Sequence, residues 1–377
     1  MPKADAPATQ QDLFRFADDL GPEKILHVTE PGLGLHGILV VDNVAAGPSI
    51  GGCRIAPDVS VDECFRLARA MTLKNAAAGL PHGGGKSVIF GDPAMPDAEK
   101  ERYIRAFARA IGDIRDYIIG PDMGTNEACM AWARDEIGRS VGLPREVGGI
   151  PLDEIGATGF GLAAAAEVAQ EFCEVKLDGA RVAVQGYGSV GRHAARFLGE
   201  KGAILVAASD SRGTIADQAG LDLDALDELK RAGKSVAELK GGTNGDRKAI
   251  IDVACDIWIP AARPDVIRAD NVARLDAKLV LQGANIPVTA EAEQTLHKRG
   301  VVSVPDFIAN AGGVICAAVE YAGGAQTVAF QTIEEKLRYN TAEVLEAARD
   351  GAISPRQAAV AMSERRVRAA MGYRRTM

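Results

Sequence analysis

The chain has 377 residues, a length that favours two hydrophobic cores over one. Hydrophobic residues are 47% and charged residues 25%, the balance of a globular protein rather than a disordered one, and the net charge of −8 offers no basic field to a nucleic-acid backbone. No uncharged apolar run reaches the ~18–20 residues of a membrane span, and the N-terminus lacks the apolar core of a signal peptide. The six cysteines, at 53, 64, 129, 173, 255 and 316, form no CxxC pair and no Cys/His cluster. They read as free thiols of a reducing cytoplasm, and no metal site is expected. Glycine is in excess, with 42 residues and no collagen period, so the surplus belongs at particular places.

In chain order, residues 36–42, 86–90 and 116–119 read as strands. Between them, 62–78 has helical periodicity, with Leu67, Met71, Lys74 and Ala78 on one face. A lysine on an apolar face needs a reason. Gly148–Gly149 and Pro151 mark a hinge. After it, Thr158 is positioned to cap a helix over 159–173, followed by strand 181–185, helix 189–200 and strand 203–208. Short strands follow at 256–259, 278–281 and 300–304, and the segment 326–377 is helical. Strands alternating with helices predict a parallel sheet covered on both faces, an α/β fold.

Residues 186–191 read Gly-Tyr-Gly-Ser-Val-Gly directly after one strand and at the start of a helix. In such a turn Gly186 allows the sharp bend, Gly188 lets the backbone approach a pyrophosphate, and Gly191 lets helix and strand pack closely, with Ser189 and Val190 completing the loop. Asp210 follows at the end of the next strand, where a carboxylate can accept hydrogen bonds from a ribose 2′-hydroxyl, with Ser211 beside it. Arg212 offers a partner to a 2′-phosphate instead, so NAD is the expected cofactor with NADP as the alternative.

Lys74 and Lys86 flank the stretch Pro81-His82-Gly83-Gly84-Gly85. Three glycines predict a bare backbone close to something small. A buried lysine near a second cation loses pKa and becomes a general base near neutral pH. Asp122 stands after an apolar strand and before a helix that Thr125 or Asn126 can cap. Spacing alone leaves it open between a turn residue and a catalytic carboxylate.

Together these segments resemble the glutamate/leucine/phenylalanine/valine dehydrogenase family. The stretches that carry the resemblance are GGCRIAP (51–57), MTLKNAAAGLPHGGGKSVI (71–89), GPDMGTNE (120–127), ATGFG (157–161), QGYGSVG (185–191), QGAN (282–285) and PDFIANAGGV (305–314). The resemblance implies a two-domain amino acid dehydrogenase. Residues 1–150 and 325–377 would form the substrate and oligomerisation domain, and 151–324 a Rossmann NAD(P)-binding domain. It implies reversible oxidative deamination of an L-amino acid to a 2-oxo acid and ammonia, in a homo-oligomer of six or eight subunits. In this scheme Lys74 holds the substrate α-carboxylate, Lys86 activates the attacking water, and Asp122 moves protons at the substrate nitrogen. Gly51 and Gly52 shape the wall beside the substrate. Thr158 meets the nicotinamide carboxamide, Asn285 lies near the nicotinamide ribose or the substrate, and Asn310 with Gly312 and Gly313 forms the far wall. Of the histidines, only His82 adjoins a motif.

Two positions depart from the glutamate members. Ile50 stands where they carry a lysine, and Ala317 where they carry a serine. Without those anchors a buried distal carboxylate costs several kcal/mol, so the expected substrate has an apolar side chain (leucine, valine, isoleucine or phenylalanine). Glutamate is the alternative, since 209–215, 282–292 and 305–314 look more like glutamate enzymes. A reading of another class, an inactive dinucleotide-binding regulatory protein, has no use for intact Lys74, Lys86 and Asp122.

Overall fold

The computed structural model describes residues 14–374. Within them the chain divides into two compact units, one made of residues 14–76, 81–141 and 367–374, the other of 77–80 and 142–366.

The first unit is built on strands β1 (Lys24–Glu30), β2 (Leu35–Asn43), β3 (Ser49–Ala56), β4 (Gly84–Phe90) and β5 (Tyr117–Pro121), with helices α1 (Val61–Ala77), α2 (Asp97–Ala110) and α3 (Glu127–Ile137). The sheet order is β1-β2-β4-β3-β5. The sheet is mixed, because β1 and β4 run antiparallel to β2 whereas β3 is parallel to both β4 and β5. Strand β3 contains most of the GGCRIAP motif, and its two glycines masked a strand pattern in the sequence. The buried side of α1 carries Cys64, Ala68, Thr72 and Asn75, small residues that let the helix lie close on the sheet. The expected face of Leu67, Met71 and Lys74 is only half-buried.

The second unit begins with α4 (Ala157–Ala169), then β6 (Arg181–Gln185), α5 (Ser189–Gly199), β7 (Ile204–Ser209), β8 (Thr214–Ala216), α6 (Leu223–Arg231), β9 (Thr243–Gly245), β10 (Ile257–Pro260), β11 (Leu279–Leu281), α7 (Ala290–Lys298) and β12 (Val302–Val304). Four helices end it: α8 (Asp306–Ala309), α9 (Gly312–Tyr321), α10 (Gln326–Gly351) and α11 (Pro355–Met371). Its sheet order is β12-β11-β10-β6-β7-β8-β9, parallel from β12 to β7, with β8 antiparallel to β7 and β9 antiparallel to β8. Alternate residues of the central strands enter opposite cores. Val182, Val184, Ile257 and Ile259 pack with α4, α5 and α10, whereas Ala183 and Trp258 pack with α7. That is the doubly covered sheet the alternation predicts.

The second unit extends beyond the expected return at residue 325. Val344, Leu345 and Ala348 of α10 and Ala358, Ala359 and Met362 of α11 share one core with Leu162, Ala163 and Ala166 of α4. The apolar stripe of a C-terminal helix is legible in sequence; the core that receives it is not.

Candidate active site

Lys86 is the third residue of β4 and is 4% exposed. Its ammonium donates to the Asp122 carboxylate, and Arg54 Nε donates to the other oxygen of that carboxylate at 3.1 Å. Arg54 also pairs with Glu63. Burial pulls the Lys86 ammonium down to about 7, with repulsion from Arg54 and then Lys74 acting in the same direction. Contact with the Asp122 carboxylate favours the charged form and opposes them. A lysine with these opposed influences suits proton transfer near neutral pH.

The geometry of β3 brings the carboxylate there. Parallel pairing aligns Gly52 with Gly120 and Cys53 with Pro121, so Asp122 follows directly off the end of β5. A Cβ on Gly52 would lie 2.8 Å from the Asp122 Cβ, so the carboxylate sits against bare backbone. The loop is then tied down: the Asp122 N–H donates to Thr125 Oγ1 at 2.9 Å, and that hydroxyl lies 2.9 Å from the Cys53 carbonyl. Asn126, not Thr125, caps α3 by accepting from the Cys129 N–H. Ile50 is buried on the face of β3 that Gly52 and Arg54 share by strand alternation.

The glycine triplet has a different cause from the one expected. A Cβ on Gly84 would stand 2.0 Å from the Thr72 backbone nitrogen, one on Gly83 would meet the Asn43 carbonyl, and one on Gly85 would meet Ser49 and Tyr117. These glycines let α1 and neighbouring strands press onto β4, which holds Lys86 rigidly. Gly51 belongs to the same packing, since its Cβ would collide with the Gly85 carbonyl. The buried Tyr117 hydroxyl donates to the Gly51 carbonyl at 2.8 Å. His82 is buried with Nδ1 3.0 Å from the Pro48 carbonyl, and burial lowers its pKa; it braces the loop before β4. Sequence reasoning assigned no role to Arg54 or Tyr117. The period-2 alternation of β3 was the available signal for Arg54.

In the second unit the glycine turn joins β6 to α5 as expected. Gly186 has φ of +96°, Gly188 is the N-cap of α5 with open space where a Cβ would be, and a Cβ on Gly191 would lie 2.1 Å from the Gly186 carbonyl. Ser189 Oγ donates to the Asp153 carbonyl and Val190 is half-buried. A cavity of about 600 Å³ opens beside Gly186, Tyr187 and Gly188, lined also by Asp210, Ser211, Lys230, Arg247 and Lys248. Open space at Gly188, helix N–H groups and a cation-lined cavity fit a dinucleotide.

Asp210 does not stand free as a ribose acceptor. Its Oδ1 accepts from the Arg212 N–H and Ser235 Oγ, and its Oδ2 from Lys230 Nζ and the Val236 N–H, at 2.8 to 3.0 Å. Although burial opposes it, these four donors hold the carboxyl down at about 2. The Arg212 guanidinium turns to the Gly233 carbonyl and Glu238. Thr158 lies in the first turn of α4, whose N-cap is Gly156 rather than Thr158. A Cβ on Gly313 would lie 3.1 Å from Thr158 Oγ1, so these two expected residues are neighbours. Asn310 is buried and donates to Asn285 Oδ1 at 3.0 Å and to the Gly283 and Ala284 carbonyls, while its own Oδ1 has no hydrogen-bond partner among the described residues. Ala317 is buried on α9.

A further group went unread in the sequence. Arg356 of α11 donates to Glu293, Gln282 and Asp306, and the second oxygen of Asp306 accepts the Ile286 N–H at 2.8 Å. The loop carrying Asn285 is thereby held from both sides, by Asn310 and by the Arg356 network.

The family model for glutamate/leucine/phenylalanine/valine dehydrogenase matches residues 148–375, and that for the dimerisation domain of these enzymes matches 22–139. The chain belongs to the glutamate/leucine/phenylalanine/valine dehydrogenase family, and it is an NAD(P)-dependent oxidoreductase acting on the CH–NH2 group of amino acids. It is 40% identical over 322 residues to glutamate dehydrogenase of Aeropyrum pernix, covering 80% of this chain and 77% of that one. It is likewise 40% identical over 321 residues to the NADP(+)-dependent glutamate dehydrogenase of Pyrobaculum calidifontis, covering 80% and 76%. Among solved structures, the hetero-hexameric glutamate dehydrogenase of Thermus thermophilus in its Leu-bound form superposes with a TM-score of 0.83 at 26% identity, covering 94% of this chain and 91% of that one. L-tryptophan dehydrogenase of Nostoc punctiforme gives 0.73 at 26% identity, covering 95% and 99%. No helix among the described residues is long and apolar enough to cross a membrane.

Proposed function

We propose that this chain catalyses the reversible oxidative deamination of L-glutamate to 2-oxoglutarate and ammonia, with Lys86 and Asp122 as its proton-transfer groups. The observation that carries the chemistry is the contact of a buried lysine, with its pKa lowered to about 7, with a carboxylate that Arg54 also holds. Lys74 binds the substrate α-carboxylate. Asp122 takes up and returns the proton at the substrate nitrogen. The neutral Lys86 amine takes a proton from the water that attacks the imino carbon, and gives it back in the amination direction. When bound, the nicotinamide supplies the hydride chemistry at the substrate Cα. The turn at Gly186, Gly188 and Gly191 holds the pyrophosphate, and Thr158, Asn285 and Asn310 orient the nicotinamide end.

Glutamate comes first because the relatives at 40% identity are glutamate dehydrogenases, which reverses the order expected from the pocket residues alone. A second reading, a bulky apolar amino acid, rests on Ile50 and Ala317, neither of which can pair with a distal carboxylate. A rate panel with ammonia and reduced cofactor separates them. The glutamate reading expects 2-oxoglutarate to turn over fastest; faster use of 4-methyl-2-oxopentanoate or phenylpyruvate gives the site to an apolar side chain. No ammonia-dependent cofactor oxidation with any of them would defeat both. We further propose a cytoplasmic homo-oligomer: six free cysteines fit a reducing compartment, and the match to the dimerisation domain and the hetero-hexameric assembly of the Thermus enzyme support an oligomer.

A further inference from the structure

The buried stripe of α1 changes character along its length. Cys64 and Ala68, in the first half, pack with Ile38, Val40 and Val88 of the sheet. Thr72 and Asn75, in the half that carries Lys74, are as fully buried but polar. Apolar contacts let a helix slide or turn on a sheet, whereas hydrogen bonds fix a direction. The polar half is held by such bonds at two points.

The first is Asp42. The pairing of β2 with β4 passes from Val41 opposite Gly85 to Asn43 opposite Gly84, which leaves Asp42 as the extra residue of a bulge. Its carboxylate is fully buried, and Oδ2 accepts from Thr72 Oγ1 at 2.6 Å and from Arg69 Nε at 2.8 Å. The other acceptor near the Thr72 hydroxyl, the Ala68 carbonyl, is farther away at 3.3 Å. The second point is the loop before β4. Asn75 Nδ2 donates to the Gly83 carbonyl at 2.6 Å and lies 3.4 Å from the Ile50 carbonyl, and the Ile50 N–H donates to the same Gly83 carbonyl at 3.1 Å. Each anchor leaves one buried oxygen, Asp42 Oδ1 or Asn75 Oδ1, without a hydrogen-bond partner among the described residues. Such oxygens cost stability that apolar side chains of the same size would not. The arrangement gives up stability and gains a fixed helix orientation.

We infer that Asp42, Thr72 and Asn75 are positioning residues for the substrate: they set the rotation of α1 on the sheet, and so the point from which Lys74 reaches the α-carboxylate. Lys74 stands between Thr72 and Asn75 within one helical turn, so a turn of the helix displaces all three together. The inference rests on the proposed binding of the α-carboxylate by Lys74.

Steady-state kinetics of the full-length enzyme test this, with ammonia, reduced cofactor and either 2-oxoglutarate or 4-methyl-2-oxopentanoate, whichever turns over. Both acids present the same α-carboxylate. T72V keeps the shape of the side chain and removes the hydroxyl. It should raise the KM for the 2-oxo acid about three- to tenfold, with kcat within about twofold of wild type and cofactor affinity unchanged. T72S keeps the hydroxyl and should restore the wild-type KM. N75L should raise KM as T72V does, and it repeats the test at the second anchor where T72V fails to fold. K74Q is the control and should raise KM by more than either. An unchanged KM in folded T72V or N75L beside a raised one in K74Q would overturn the positioning role alone. So would a T72S no better than T72V, or a loss of kcat and cofactor affinity along with KM. An unchanged KM in K74Q would instead overturn the α-carboxylate assignment itself.

Discussion

Lys86 and Asp122 make a pair whose chemistry depends on which of them holds the proton. In the proposed mechanism the reactive form of Lys86 in the deamination direction is the neutral amine. With its pKa lowered to about 7, kcat/KM should climb about tenfold per pH unit below that value and level off above it. A flat profile from pH 6 to 8 would contradict this assignment. Arg54 is the largest charged contributor to the lowering, so Arg54→Gln should move the rising limb to higher pH, whereas a purely structural loss would lower the rate at every pH alike. Lys86→Met and Asp122→Asn should each reduce kcat by about 10²–10⁴-fold with cofactor affinity unchanged, measured by single-turnover rates beside a cofactor titration. The residue types were legible in sequence; the contact was not, because Lys86, in β4, and Asp122, just past the end of β5, lie 36 positions apart.

At the scale of elements, glycines and buried ion pairs decide how firmly the site residues are held. Gly84→Ala would drive a Cβ to 2.0 Å from the backbone of α1, and backbone cannot move aside as a side chain can. It should destabilise the protein by at least ~1–3 kcal/mol, read as a lowered midpoint in thermal unfolding. Arg356→Met would leave Glu293 and Asp306, each 8% exposed, without their cation. The expected cost is ~3–5 kcal/mol, together with a higher KM for cofactor as the loop at Asn285 loosens. An unchanged melting curve would remove Arg356 from this role. Neither effect could be read from local pattern. The triplet at 83–85 advertises missing side chains but not what occupies their space, and Arg356 is one of many arginines on a helix.

For the whole molecule, the first unit has a mixed sheet and the second a largely parallel one, and a C-terminal helix pair is needed to complete the second core. A subunit mass of 39.5 kDa sets the scale for assembly. Light scattering should give a multiple of it, and a monomer at micromolar concentration would refute the oligomer.

Periodicity and the turn at 186–191 determined the αβ alternation and the dinucleotide motif and singled out Lys74 and Lys86, because each is set by neighbours within one turn or one strand; for Asp122 spacing left a turn residue open, and its expected role came from the family resemblance. The tertiary structure decided which core receives the last helices, why the glycines before Lys86 are there, and that Arg54 joins the Lys86–Asp122 pair. It also decided that Asp210 is spent on its own loop. A carboxylate's meaning depends on which donors have already claimed it, and those donors come from positions 212, 230, 235 and 236, brought together only by the fold.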